Sequence, residues 1–170
     1  MKKLAVMLTL VLLAGPAFAG AGALKLSLWG RAAVAVPNNI DDVKGLEIGI
    51  GSAADTFQGV QFDLLFAQTR EDMKGLSHAL VTFSNEMTGL QGGFITKSNH
   101  LRGVQWGALN LNMGQMSGLQ WGLYNQAESV SGLQVGFINY AKYIDGLQIG
   151  VLNIAENGWF PAMILVNGRF

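Results

Sequence analysis

A Gly-Leu or Gly-Val pair returns along this chain at Gly45, Gly59, Gly75, Gly89, Gly103, Gly118, Gly132 and Gly146, at intervals of 14, 16, 14, 14, 15, 14 and 14 residues. A period this short and this regular constrains the fold more than any other feature. One unit cannot bury an apolar face by itself, so the units must cover one another. The clearest copies are Gly118-Leu119-Gln120-Trp121-Gly122-Leu123-Tyr124-Asn125, Gly132-Leu133-Gln134-Val135-Gly136-Phe137-Ile138-Asn139 and Gly146-Leu147-Gln148-Ile149-Gly150-Val151-Leu152-Asn153. Burying the apolar side chains of one such coil does not offset the conformational entropy of ordering its residues, which is why several must stack.

Within each unit the second, fourth and sixth positions are mostly apolar, the third is usually glutamine and the fifth usually glycine. Alternation of period two predicts a strand with one buried face, and the apolar positions are expected to supply it. A further apolar group at the seventh position, as in Leu65, Val81, Ile95, Leu109, Ile138 and Leu152, shifts the phase by one residue and predicts a turn or bulge. Another apolar column precedes the next glycine: Phe57, Met73, Met87, Leu101, Met116, Val130 and Ile144.

These units predict an all-β chain, a β-solenoid or β-roll of about eight 14-residue coils spanning 45–158. An N-terminal capping strand and turn falls in 20–44 and a C-terminal capping strand in 159–170. The alternative is a ten-stranded outer-membrane β-barrel, counting the leading strand, eight units and a tail that ends on Phe170. Barrel strands alternate between short and long loops, which predicts a repeat of two units. The observed period is one unit, and this favours stacked coils.

Residues 1–19 read as a signal peptide: basic Lys2 and Lys3, an apolar run from Leu4 to Leu13, and Ala17-Phe18-Ala19 as a cleavage site before Gly20. The protein is therefore expected to be exported, to the cell surface, periplasm or outer membrane. With no cysteine anywhere in the chain, lipoprotein attachment is excluded. The remaining chain holds nine basic and eleven acidic residues, a net charge of −2, with no basic run or face. Nucleic acid is not an expected partner. Partners left open are a surface glycan, a protein, the envelope membrane and a second copy of the chain.

The repeat resembles a family of bacterial surface-repeat-containing proteins with units of the form G-L-Q-x-G-x-x-N. The leader segment Leu26-Ser27-Leu28-Trp29-Gly30 with Val36-Pro37-Asn38-Asn39, and the closing Asn153-Ile154-Ala155-Glu156-Asn157, are also similar. The resemblance implies an exported protein and names no activity. The fourteen-residue rolls in the heads of trimeric adhesins are similar in period alone.

No residue pattern for catalysis, a cofactor or a metal emerges, and a non-enzymatic structural, binding or adhesion module is expected. Gly49-Ile50-Gly51-Ser52-Ala53-Ala54 matches a relaxed dinucleotide fingerprint without the helix such a site needs. His78 and His100 fall at different positions of their coils, without partners at ligand spacing. The candidates that remain are two amide columns, Gln105, Gln120, Gln134 and Gln148 (preceded by Gln61 and Gln91) and Asn110, Asn125, Asn139 and Asn153. They are expected to form ladders that tie coils together, with a second reading in which the glutamines present an outer face to a partner or glycan. Trp106 and Trp121, in one column of successive units, are expected to stack in a solenoid core or to meet lipid in a barrel.

Overall fold

A computed structural model describes residues 22–170; the expected leader at 1–19 and its junction at Gly20 lie outside the described residues. Every element is a strand: β1 (Gly22–Trp29), β2 (Ala32–Val36), β3 (Asp42–Ala54), β4 (Thr56–His78), β5 (Val81–Gly92), β6 (Ile95–Asn112), β7 (Gln115–Ala155) and β8 (Ala162–Arg169). β3 through β7 pair in parallel with a register of one repeat, Gly45 on Gly59, Gly75 on Gly89, Gly89 on Gly103 and Gly103 on Gly118. The chain is a β-solenoid of stacked coils about 14 residues long, and the ten-stranded barrel does not form.

The leading cap is a hairpin rather than a single strand. β1 pairs antiparallel with β2 and parallel with β3, so it lies on the first coil with Lys25 opposite Glu47 and Leu26 opposite Ile48. β8 closes the other end by reversing direction, antiparallel to the last coil of β7, with Gln148 opposite Asn167 and Ile149 opposite Val166. Only the caps are antiparallel, and each leaves just one strand as an open edge of the sheet.

The eight opening glycines all have positive φ, between 125° and 154°. Each stands directly on its predecessor, so that a Cβ at Gly118 would collide with the carbonyl oxygen of Gly103 and one at Gly132 with that of Gly118. The corner is therefore closed to side chains both by dihedral and by space. Gly118→Ala should lower stability by about 2 kcal/mol or more, whereas Ser131→Ala, one residue before the next corner, should change it by less than about 0.5 kcal/mol. Urea unfolding midpoints measure both, and equal stability of the two variants would show that the corner tolerates a Cβ.

Candidate functional site

The alternation expected from the sequence is present with its faces exchanged. The third-position glutamines Gln61, Gln91, Gln105, Gln120, Gln134 and Gln148 are 0% exposed, whereas Trp121 and Leu123 of the neighbouring outward columns are each 64% exposed. The second, fourth and sixth positions thus point away from the core. A glutamine face for a glycan or partner is ruled out by this burial. Period two tells which residues share a face but not which face is inside. The deciding factor is that the interior amides hydrogen-bond one another from coil to coil.

Gln105 Nε2 donates to Gln91 Oε1 at 3.1 Å, Gln120 to Gln105 at 2.8 Å, Gln134 to Gln120 at 2.7 Å and Gln148 to Gln134 at 2.8 Å. The second amide hydrogen crosses the coil to a backbone carbonyl six residues on, Gln126, Tyr140 or Ile154. A glutamine in this slot uses both donors and its acceptor, and the cost of burying a polar group is removed.

The asparagine column runs beside it with the opposite polarity. Asn110 Nδ2 donates to Asn125 Oδ1 at 2.8 Å, Asn125 to Asn139 at 2.7 Å and Asn139 to Asn153 at 2.8 Å, towards the C-terminus, while the glutamine amides donate towards the N-terminus. Each of these asparagines also donates to the fourth-position carbonyl of the next coil, Trp121, Val135 or Ile149. That carbonyl is released where the phase slips, so the bulge and the asparagine are one device. A Cβ at Gly122, Gly136 or Gly150 would press on the asparagine amide of the coil before, which explains the fifth-position glycine.

The remaining core is apolar and narrow. Phe57, Met73, Met87, Leu101, Met116, Val130 and Ile144 form one buried column as expected, preceded by Val43, and Ala127, Ala141 and Ala155 form another.

The buried charges at the N-terminal end were not among the sequence expectations. Lys25 and Glu47 are fully buried and paired at 3.1 Å, and Lys25 Nζ also donates to the Ala53 carbonyl at 2.6 Å. Glu47 accepts from Ser27 Oγ and from Gln61 Nε2, the latter at 3.0 Å. Because the glutamine amides donate towards this end, the last residue of the column needs only to accept, and a carboxylate does. Lys25 then neutralises it. Alignment on the corner glycines contains the signal, since Glu47 occupies the glutamine slot. Ser77, the other interruption, donates to Gln61 Oε1 at 2.9 Å, too short a side chain to reach Gln91.

Asp63 takes the fifth-position slot and turns inward, with Oδ2 accepting from Ser52 Oγ. Burial pushes its carboxyl up to about 7, opposed by the Ser52 hydrogen bond and assisted by nearby Glu47.

Outside, the second, fourth and sixth positions of the eight units make 24 sites without one Asp, Glu, Lys or Arg; His78 is the only titratable group. Trp106 and Trp121 lie side by side on this exterior, not in the core. Trp106 spreads over Gly92 to stack on His78 at 6.1 Å, and His78 meets Phe62 edge-on at 6.0 Å. An apolar groove floored by Gly107, Gly122, Gly136 and Gly150 runs between Trp121, Val135 and Ile149 on one side and Leu123, Phe137 and Val151 on the other. The opposite side of the coil is polar, with His100 and Glu86 3.9 Å apart and Arg31 and Arg70 on Asp55. Arg31 donates to Asp55 and holds its carboxyl below the ordinary value. Among the described residues no group of His, Asp and Glu has the arrangement of a metal site.

The amide columns and the apolar exterior are thus the two features repeated coil after coil, one inside and one out. No protein-family model matches the chain, and neither the curated proteins nor the solved structures contain a detectable match.

Two outcomes test the polar interior. Glu47→Ala removes the carboxylate paired with buried Lys25 and leaves Gln61 Nε2 only Ser52 Oγ as acceptor, and should cost about 3–5 kcal/mol. The pair Lys25→Met with Glu47→Gln, which adds one rung to the ladder and removes the charge, should return stability to within about 1 kcal/mol of the parent in urea titrations. For Asp63 the folded-state value of about 7 stands above the 3.8 of a free carboxyl. The folded chain therefore holds more protons than the unfolded one across that window, and stability falls as pH rises from about 4 to about 7. Asp63→Asn should abolish that fall and raise the urea midpoint at pH 8; a midpoint that keeps its pH dependence would locate the titration elsewhere.

Proposed function

We propose that this protein is an exported, non-enzymatic module of the bacterial envelope or surface that works by presenting a rigid apolar face to a partner. The observation that carries the reading is the exterior column set, 24 positions free of formal charge on a scaffold whose polar chemistry is turned inward. Monomeric soluble proteins rarely expose a contiguous apolar patch of more than a few hundred Å², and larger ones mark interaction surfaces. The leader at 1–19 and the similarity to exported surface-repeat proteins support the compartment. Stacked coils supply rigidity, since each residue of the face is fixed by the same residue one coil away.

Fractionation of cells expressing the full chain tests this reading. The expected product is found with the envelope, begins at Gly20 by mass spectrometry and shows no heat-modifiable band in electrophoresis. A full-length chain retained in the cytoplasm would overturn it.

A further inference from the structure

We infer that the apolar face is covered by a second copy of this chain, packed face to face and antiparallel about a two-fold axis that lies along the strands between the coils opening at Gly89 and Gly103. The inference deepens the envelope-module reading by naming the partner.

Size is the first argument. The second to sixth positions span about 16 Å along the strand, and β1, eight coils and β8 stacked at about 4.8 Å span about 48 Å. The face is thus roughly 750 Å², close to the ~800 Å² per partner of a standard stable interface. Sheets that pack face to face stand about 10 Å apart with their strands aligned, the arrangement this axis gives.

Charge is the second. A surface made to lie on a membrane of anionic headgroups carries Lys or Arg among its apolar groups, and these 24 positions have neither. Of the four charges in the row preceding the corner glycines, Lys44, Lys74, Arg102 and Asp145, the inner two face Ser117 and Thr88 of the other copy and the end two suit a two-fold. In the row preceding the corner glycines, exposed Lys44 stands at the first coil and exposed Asp145 at the last, and neither has an ion-pair partner among the described residues of its own chain. The proposed axis brings each Lys44 beside the partner's Asp145, whereas an axis along the solenoid would not.

Shape is the third. The groove over Gly107, Gly122, Gly136 and Gly150 lies in the C-terminal half, and the N-terminal half presents exposed Phe62, Leu64, Leu80 and Phe94. Because the axis lies along the strands, each position faces the same position of the other copy, and the large Phe94 meets the small Ala108, the self-complementarity an isologous interface needs. It places the row of Leu64 opposite the partner's row of Phe137.

The test is sedimentation of the full chain as isolated from cells, and of Leu64→Lys and Phe137→Glu. Both residues are exposed in the single chain, so each variant keeps the parent's circular dichroism and melting as a monomer. The wild-type chain is expected to be a dimer at micromolar concentration. Each variant buries an unpaired charge and should raise the dimer Kd at least about 30-fold. An equimolar mixture of the two variants should form a heterodimer, because the ammonium introduced in one chain then faces the carboxylate introduced in the other. A monomeric wild type, variants that still dimerise, or a mixture that stays monomeric overturns the proposal. So does a wild-type monomer that binds phosphatidylcholine vesicles through the same residues, which identifies lipid as the occupant. None of these outcomes touches the envelope reading, which fails only on cell fractionation.

Discussion

The side-chain amide that uses all its hydrogen-bonding groups inside the coil is the constraint on which the rest of this molecule depends. A glutamine at the third position donates once along the stack and once across it, and accepts once from the coil beyond. Asparagine at the eighth position does the same with the released carbonyl at the bulge. Both sets are geometrically satisfied only at the spacing of hydrogen-bonded strands, so the side chains and the backbone enforce one register. A slip of one residue would leave a buried amide unpaired in each coil, which gives the stack its specificity.

The two ladders differ in direction, and the difference has consequences at the ends. Parallel chains of amide dipoles would add up along the axis; chains of opposite sense cancel over the coils they share, from Gly103 to Asn153. Where the glutamine chain runs beyond the asparagines, towards the N-terminus, its donor end is met by a carboxylate, and the carboxylate by Lys25. At the other end Gln148 Oε1 has no donor among the described residues, and β8 covers it with Asn167. The caps are thus electrostatic as well as steric: hydrogen-bond polarity dictates a different terminating residue at each end.

The periodicity made the fold legible. The corner glycines, the bulge after the fifth position, the buried column from Phe57 to Ile144 and the capping segments all follow from spacing. What spacing could not supply was the sign of the alternation, because Leu119, Trp121 and Leu123 form as good a strand face as Gln120 does. Hydrophobicity argues for burying the first set, and for a single strand pair that argument wins. In a stack it loses, since the glutamine and asparagine amides pair from coil to coil and a ring in their place would leave those hydrogen bonds unmade. Lys25 is not legible in the repeat because it lies before the first corner glycine, where only the pairing of β1 with β3 puts it in the glutamine column.

An interior satisfied coil by coil also explains why the exterior can be apolar without the fold turning inside out. Exchanging the faces would expose amides that water can hydrate, but it would force indole and phenyl rings into slots now filled by amides, and overpacking of that kind is itself destabilising. The apolar exterior is therefore free to be set by function, and its area grows by about 75 Å² with each added coil. A chain of four units would present roughly half of a standard interface, whereas eight units with their caps reach it. The number of repeats is then the variable that tunes association, while the amide ladders keep the fold independent of that number.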